Sequence, residues 1–222
     1  MKALILANGE LDNPDILRMR IRAEVFQLVL GADGGADYAD TLDVKVDAII
    51  GDFDSLSVTE QNRIGRAQLI SYPQEKDETD LELALLYAKK QGANQVVIVG
   101  ATGGRIDMTM ANMLLMSHAN FGSCRAEVWQ GERTSMVIRP PGEDISGTAG
   151  DMISLIPLGG DASKITTQGM KYPLKNEMLV VGSTRGISNL MEENSAHVGL
   201  AEGLLLAVHT PGRSTERDGE AL

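Results

Sequence analysis

The chain has 222 residues, of which 43% are hydrophobic and 23% charged, and this length suffices for one large domain or two small ones with buried cores. Its net charge of −11 at pH 7 argues against a general nucleic-acid binder, because such proteins present basic surfaces. The single cysteine, Cys124, cannot form an internal disulfide, which is typical of a reducing compartment. No apolar stretch reaches the length of about 18 residues that a membrane-spanning helix needs. We therefore expect a cytoplasmic protein with neither nucleic-acid nor membrane partners.

Short apolar runs in the first half of the chain alternate with segments of helical periodicity. The runs lie at 3–7, 26–30, 46–50, 68–72 and 95–99, and the predicted helices lie at 16–23, 36–42, 59–65, 80–90 and 105–120. This alternation predicts a mostly parallel sheet with helices between its strands. Ligands of such sheets bind beyond the carboxyl ends of the strands, so the polar residues that follow each run are candidates for a site.

Two of the predicted helices carry further sequence signals. Thr79 and Glu82 form a capping-box pattern at the start of the helix over 80–90. The apolar face of this helix comprises Leu81, Ala84, Leu85 and Ala88. The helix over 105–120 carries an apolar stripe that comprises Ile106, Met110, Met113 and Leu114. Both spacings are typical of amphipathic helices.

The pattern changes near residue 123, where helical periodicity ends. The later apolar runs are short and separated by turns, at 126–129, 135–138, 152–157, 164–166, 178–181 and 204–208. They predict an antiparallel sandwich or barrel. We therefore expect an α/β domain over 1–123, an all-β domain over 124–212, and a polar, disordered tail over 213–222.

Carboxylates follow several of the predicted strands. Asp52 and Asp54 follow the run at 46–50 and Gly51, and in extended backbone residues i and i+2 point the same way. Two converging carboxylates are costly unless a cation or a proton lies between them, and Mg²⁺ prefers oxygen ligands. Asp33 and Asp80 add acids at the same expected edge. Each of these acids also has a simpler interpretation, as a turn residue or a helix N-terminal acid.

A glycine-rich loop, Gly100 to Gly104, precedes the predicted helix that begins near Arg105. Such a loop lets backbone N–H groups approach a phosphate, and the helix N-terminus attracts an anion. The spacing matches neither the dinucleotide nor the P-loop fingerprint, so a purely structural role remains open. Arg105 is poorly placed to complement the helix dipole, which favours a phosphate partner, whereas Asp107 complements it. Together with Lys76, these residues suggest a site for Mg²⁺ and a nucleoside triphosphate.

These motifs, taken in order, resemble those of the thiamine pyrophosphokinase (thiamine diphosphokinase) family over roughly residues 2–211. In the first half the matching segments are ADGGA at 32–36, GDFDS at 51–55, KDETD at 76–80 and GATGGRID at 100–107, with Asn112 beyond them. In the second half they are GDMISLIP at 150–157, GMKYPL at 169–174 and GISN at 186–189.

The resemblance implies an N-terminal α/β nucleotide-binding domain and a C-terminal β-sandwich domain that binds thiamine and dimerises. It implies transfer of the β,γ-diphosphoryl group of ATP to the hydroxyl of thiamine, which gives thiamine diphosphate and AMP. Mg²⁺ and ATP are the implied cofactor and co-substrate, and a homodimer is the implied assembly, with the thiamine pocket formed between two subunits.

The resemblance also implies roles for individual residues. The metal ligands implied are Asp52, Asp54 and Asp80, and catalysis would involve them together with Lys76 and Arg105. The implied ATP and phosphate contacts are Asp33, Gly34, Gly103, Gly104, Arg105 and Asp107. The thiamine contacts implied are Ser188, Asn189 and Tyr172, although Tyr172 could equally be a core or strand residue. Many bacterial members have His where this chain has Met108, but members without that His exist. We therefore infer that position 108 is not an essential base here.

Three other functions are consistent with parts of the pattern. A phosphohydrolase would use the Asp52–Asp54 pair as aspartyl nucleophile and acid, but this leaves the glycine loop and the second domain unexplained. A non-catalytic regulator would bind nucleotide or thiamine without turnover. A related enzyme would transfer the same group to another heterocyclic alcohol.

Overall fold

The structure is a computed structural model that describes residues 1–52 and 67–212. Within it the chain forms two compact units, the first running from Met1 to Gly131 and the second beginning at Glu132. The helix expected over 59–65 and the tail expected to be disordered over 213–222 lie outside the described residues.

The first unit is built on a parallel sheet. Its strands are β1 (Lys2–Leu6), β2 (Leu28–Ala32), β3 (Ala48–Gly51), β4 (Gln68–Ser71), β5 (Gln95–Val99) and β6 (Arg125–Gln130). They lie in the order β6-β5-β1-β2-β3-β4, and every neighbouring pair is parallel. Nearly every residue of β1 and β5 is buried, as expected of a parallel sheet that is covered on both faces. The predicted α/β fold is therefore confirmed.

Helices connect these strands. Among the described residues they are α1 (Pro14–Arg22), α2 (Tyr38–Leu42), α3 (Asp80–Lys90) and α4 (Ile106–Leu115), with short 3₁₀ turns at Asp33–Asp37 and Ala119–Phe121. The Thr79 hydroxyl accepts a hydrogen bond from the Glu82 backbone N–H at 3.2 Å, so the predicted cap of α3 forms. The predicted apolar face of α3 is buried, and the helix packs against β1, β2 and β3.

Helix α4 differs from its prediction in length and surroundings. It ends at Leu115, five residues earlier than 120 because the chain turns into the 3₁₀ segment at Ala119–Phe121. Its apolar stripe is largely exposed, with 75% of Ile106, 60% of Met110 and 48% of Leu114 accessible to solvent. Asn112 is the buried residue of this helix. The sequence pattern thus identifies an apolar face but not what covers it.

The boundary of the first unit lies beyond the position that the sequence pattern suggested. The change of pattern near residue 123 placed the run at 126–129 in the all-β half. In the structure β6 pairs in parallel with β5, from Gln95 opposite Arg125 to Val99 opposite Trp129. Backbone pairing across this edge therefore joins β6 to the α/β sheet, and the compact unit extends to Gly131.

The second unit is a sandwich of two antiparallel sheets. Its strands are β7 (Arg133–Ile138), β8 (Gly142–Ser146), β9 (Met152–Pro157), β10 (Ala162–Gln168), β11 (Lys175–Leu179), β12 (Asn189–Leu190), β13 (Ser195–Gly199) and β14 (Leu205–Thr210). One sheet contains β12-β9-β14-β7 and the other β11-β10-β13-β8. A single core cluster takes side chains from both sheets, for example Leu155 and Ile165. This packing confirms the predicted β-sandwich.

Strands β8, β12 and β13 were missing from the sequence prediction. Strand β8 buries Ile145 as its one inward apolar side chain, and β13 buries Ala196 and Val198. So few inward residues produce no recognisable apolar run. These strands are instead held in place by backbone pairing with their neighbours, such as that of β13 with β10 and β8.

A buried pair of polar side chains lies within the second unit. His209 Nε2 is 2.8 Å from Asp151 Oδ2, and both residues are buried. Asp151 also accepts hydrogen bonds from the backbone N–H groups of Thr148 and Gly212. Burial by itself would raise the pKa of Asp151, but the hydrogen bonds from His209, Thr148 and Gly212 outweigh it and leave this pKa below its ordinary value. The ionised carboxylate therefore ties three segments of the unit together.

We expect Asp151→Asn to destabilise the protein by about 1–3 kcal/mol at pH 7, because the charged partner of His209 and of two partly buried N–H groups is lost. A lowered carboxyl pKa stabilises the fold above its ordinary value and ceases to do so as the pH falls through the lowered value. The difference in unfolding free energy between wild type and Asp151→Asn should therefore shrink below about pH 4. Urea unfolding of both proteins at pH 7 and pH 3 measures this difference.

Asp144 provides a matched control for this variant. It makes a similar contact, 2.7 Å from His197 Nδ1, but both side chains are substantially exposed. Exposed pairs contribute at most about 1 kcal/mol, so Asp144→Asn should change stability little. Equal effects of the two substitutions would show that burial does not strengthen the Asp151 pair.

Among the described residues, no helix is both long enough and apolar enough to cross a lipid bilayer.

Candidate active site

A cavity of about 710 Å³ lies in the first unit, where β1, β2 and β5 end. Residues 7–10 line it after β1, Ala32 and Asp33 at the end of β2, and residues 100–105 after β5. Residues 78–81, at the start of α3, line it as well. This is the edge of a parallel sheet at which ligands bind, as the sequence suggested.

Glycines allow three loops to meet beside this cavity. A Cβ on Gly35 would lie 2.2 Å from the Leu6 carbonyl oxygen, and one on Gly100 would lie 2.3 Å from the Ala7 carbonyl oxygen. A Cβ on Gly9 would lie 2.4 Å from the Gly100 carbonyl oxygen. Gly100 also has a φ of +71°, which glycine adopts without strain. Backbone contacts, rather than a standard fingerprint, therefore explain where these glycines occur.

The N–H groups of the glycine loop donate to side chains of the protein. The Gly103 N–H donates to Thr109 Oγ1 at 3.2 Å, and the Gly104 N–H donates to Glu10 Oε1 at 2.9 Å. Gly103 and Gly104 both line the cavity, as do Glu10 and Thr109. Sequence reasoning missed Glu10, although its position directly after Gly9, in the loop that follows β1, was a usable signal.

The predicted acids lie at the ends of neighbouring elements. Asp33 follows β2 with a φ of +47°, a conformation that Asp tolerates better than most residues. Its Oδ1 lies 3.5 Å from the position of a Cβ on Gly51, the residue that precedes Asp52. Asp33 and Asp80 line the cavity, and Asp52 follows the next strand along, β3. Asp54 lies outside the described residues.

No three acidic, histidine or cysteine side chains form a metal-binding group within residues 1–52 and 67–212. Mg²⁺ commonly uses only one or two carboxylates and completes its shell with phosphate and water oxygens. Asp33, Asp52 and Asp80 provide oxygen donors of this kind, so the donor chemistry of the described residues fits such an ion.

Two predicted cationic residues are engaged by nearby acids. Lys76 Nζ lies 2.7 Å from Asp80 Oδ1, and the Lys76 side chain is mostly buried. Arg105 lines the cavity and pairs with Asp107, and this hydrogen bond lowers the pKa of Asp107. Arg105 therefore lines the cavity as the basic half of an ion pair with Asp107, whereas Lys76 holds Asp80 in place.

Gly34 and Met108 occupy different positions relative to the cavity. Gly34 lies in the 3₁₀ turn after β2, where a Cβ would meet the Asn8 side chain at 2.8 Å. Met108 lines the cavity. Its thioether neither donates nor accepts protons, in agreement with the expectation that position 108 holds no base.

In the second unit the structure brings the other three predicted residues together. Asn189 is buried; its Oδ1 accepts from the Tyr172 N–H at 3.0 Å, and its Nδ2 donates to the Tyr172 carbonyl at 2.8 Å. Asn189 Oδ1 also accepts from the Leu190 N–H. Tyr172 is 53% exposed, which excludes the core role. Ser188 is exposed with a φ of +60°. Asn189 therefore positions Tyr172 by clamping its backbone.

A parallel sheet whose carboxyl edge opens into a cavity lined by carboxylates, glycines and an arginine is typical of α/β proteins that bind nucleotides or other phosphates. Comparison with known proteins narrows this class. Residues 22–128 match the family model "Thiamin pyrophosphokinase, catalytic domain", and residues 137–205 match "Thiamin pyrophosphokinase, vitamin B1 binding domain".

Individual relatives agree with these matches. The chain is 34% identical to the thiamine pyrophosphokinase of Bacillus subtilis (strain 168) over 199 residues, covering 82% of this chain and 87% of the relative. The crystal structure of the Bacillus subtilis thiamine pyrophosphokinase superimposes with a TM-score of 0.83 and 26% identity, covering 96% of this chain and 100% of that one. The crystal structure of the Geobacillus thermodenitrificans thiamin pyrophosphokinase superimposes with a TM-score of 0.81 and 27% identity, covering 96% of this chain and 99% of that one. The chain therefore belongs to the thiamine pyrophosphokinase family.

Proposed function

We propose that this chain transfers the β,γ-diphosphoryl group of ATP to the hydroxyl of thiamine, giving thiamine diphosphate and AMP. The observation that carries this proposal is the order of the two family matches. The catalytic-domain match, residues 22–128, lies within the unit that contains the cavity, and the vitamin B1 binding match, residues 137–205, includes Tyr172, Ser188 and Asn189.

The cavity at the carboxyl edge would bind the polyphosphate of ATP. Arg105 would contact phosphate oxygens there, and Asp107 would orient its guanidinium. Asp33 and Asp80 line the same cavity, so a polyphosphate would face carboxylates unless a cation lies between them. We propose that Asp52, Asp54 and Asp80 hold Mg²⁺ and that Asp33 serves metal and phosphate. The ion would neutralise charge on the transferred group.

Thiamine would bind against Tyr172 and Ser188. Tyr172 is 53% exposed, and Lys171 Nζ lies over one face of its ring, 5.7 Å from the centroid, so thiamine would use the other face. Thiamine is a cation, and a cation on an aromatic face is attracted to it. The net charge of −11 also favours approach of a cation.

The chemistry requires positioning and charge neutralisation rather than a covalent enzyme intermediate. The thiamine hydroxyl oxygen would attack the β-phosphorus and lose its proton, and the bond between the β-phosphorus and the oxygen of AMP would break. Gly103 and Gly104 would contact the polyphosphate, and Lys76 would keep Asp80 oriented. Each group acts by holding the reactants in line.

Product analysis tests this function directly. Purified protein mixed with Mg·ATP and thiamine should release AMP in equal amount to thiamine diphosphate, and no ADP. Asp80→Asn should lower the rate at least about a hundredfold, because a charge that organises the transferred group is lost. Asp77→Asn is the control, since Asp77 is an exposed neighbour with no proposed role.

Other outcomes of this experiment favour the alternative functions. Phosphate release without thiamine, with a phosphorylated Asp52, would favour a phosphohydrolase. Binding of ATP and thiamine without AMP formation would favour a regulator. AMP formation that requires a different heterocyclic alcohol would change the acceptor.

We expect Tyr172→Ala to raise the KM for thiamine about five- to thirtyfold with little change in the KM for ATP, because a cation–aromatic contact of about 1–2 kcal/mol is lost. Tyr172→Phe retains the ring and should behave nearly as wild type. Steady-state kinetics with each substrate varied in turn measures both effects. An unchanged KM for thiamine in Tyr172→Ala would remove Tyr172 from the pocket.

A homodimer is the assembly that we propose. Exposed apolar side chains occur in both units, on α4 at Ile106 and Met110 and in the second unit at Met178, Val181 and Ile187. Exposed apolar side chains are typical of protein–protein interfaces where they lie together, and a second copy of the chain would cover them.

Met110→Glu should convert the dimer to monomer or weaken it at least tenfold, because a charge would be buried in an apolar contact. Val25→Glu is the matched control, since Val25 is 75% exposed and lies outside both sets of apolar residues. Light scattering coupled to size-exclusion chromatography measures the mass. A wild-type monomer, or a Met110→Glu dimer of unchanged affinity, would contradict the proposed interface.

A further inference from the structure

The Glu10 carboxylate accepts a hydrogen bond from a backbone N–H group of the glycine loop. Its Oε1 accepts the Gly104 N–H at 2.9 Å, and its side chain lies across Gly103, where a Cβ would come within 3.0 Å of Glu10 Cγ. Glu10, Gly103 and Gly104 all line the cavity. A carboxylate thus lies where the proposed function requires a phosphate oxygen.

The loop does not depend on this carboxylate for its shape. Backbone hydrogen bonds join the Gly9 N–H to the Gly100 carbonyl at 2.7 Å and the Glu10 N–H to the Thr102 carbonyl at 2.6 Å. The Asn112 side chain holds the Ala101 carbonyl at 2.8 Å. Since Glu10 is exposed, its carboxylate can leave the Gly104 N–H and return to water without a large solvation cost.

A phosphate oxygen and the Glu10 carboxylate cannot share this donor. Both are anions, and at hydrogen-bonding distance from one N–H they would repel each other. The cavity already contains other acids, including Asp33 and Asp80, so it has little positive charge to offset a further negative one. Binding of a polyphosphate therefore requires Glu10 to move.

We propose that Glu10 is a built-in competitor of the nucleotide: its carboxylate occupies the Gly104 N–H in the free protein, and the polyphosphate of ATP displaces it. This inference rests on the proposed function, which places the polyphosphate at this loop. The contact lowers the affinity for ATP and thereby sets the ATP concentration at which the enzyme works.

The test compares Glu10→Gln and Glu10→Ala with wild type. Glu10→Gln keeps an oxygen acceptor of the same shape but removes the competing charge, and Glu10→Ala removes both. We expect each to lower the Kd for Mg·ATP and the KM for ATP about three- to tenfold with kcat nearly unchanged. Isothermal titration calorimetry with Mg·ATP, and with inorganic tripolyphosphate as a probe without the nucleoside, measures binding independently of turnover.

Glu78→Gln is the matched control, because Glu78 lines the same cavity from the start of α3. It removes an equal charge without removing the acceptor of the Gly104 N–H. A decrease in Kd confined to the Glu10 variants supports displacement. Equal decreases of the Kd in the Glu78 and Glu10 variants would show that any lost negative charge in the cavity strengthens binding, and this would overturn the proposal.

The amide resonance of Gly104 reports on the contact itself. Wild type and Glu10→Gln should differ at this resonance in the free protein and coincide once Mg·ATP saturates both, because the carboxylate has then left. A difference that persists in the complex, or a raised Kd in Glu10→Ala, would show that Glu10 is a structural clamp. An unchanged Kd for Mg·ATP in both Glu10 variants, with normal AMP formation, would overturn only the role of Glu10. If the wild-type protein bound no ATP at all, both this role and the proposed function would be overturned.

Discussion

Backbone-to-backbone contact at the carboxyl end of β1 is the constraint on which the cavity depends. The carbonyls of Leu6 and Ala7 lie so close to Gly35 and Gly100 that no Cβ fits between them. This contact brings the loops after β1, β2 and β5 to one place. Side chains from three distant segments can then surround one ligand, which explains why the site combines short motifs that carry little information separately.

Charge is the second constraint on this site. Among the described lining residues, the acids are Glu10, Asp33, Glu78 and Asp80, and the basic residue is Arg105. An acid-rich cavity binds a polyphosphate only when a cation accompanies it or when acids withdraw. The proposed Mg²⁺ and the proposed movement of Glu10 would both reduce the repulsion between the cavity's carboxylates and the polyphosphate.

The sequence predicted elements well where one segment carries its own signal. The Thr79 cap and the buried face of α3 follow from local hydrogen bonding and helical periodicity, which need no distant partner. Strands β8 and β13 escaped detection because their few inward side chains are significant only beside longer strands. The parallel pairing of β6 with β5 was equally invisible, since a short apolar run does not reveal its neighbour.

The candidate site shows the same division. Motif order pointed to Asp33, Asp80, the glycine loop and Arg105, which line the cavity, and the family resemblance pointed to Tyr172, Ser188 and Asn189. Residue type alone could not distinguish a ligand contact from a positioning role. The buried amide of Asn189 proved to hold the Tyr172 backbone, and Lys76 proved to hold Asp80.

The sequence by itself determined the class of fold, the family, and the set of residues at the strand ends, because periodicity and motif order are properties of the chain. The tertiary structure alone decided which partners these residues have. Only there does the Glu10 carboxylate meet the N–H of Gly104, 94 positions away along the chain. A hydrogen bond between such distant segments depends on how strands pair and loops pack, and no local pattern of residues encodes it.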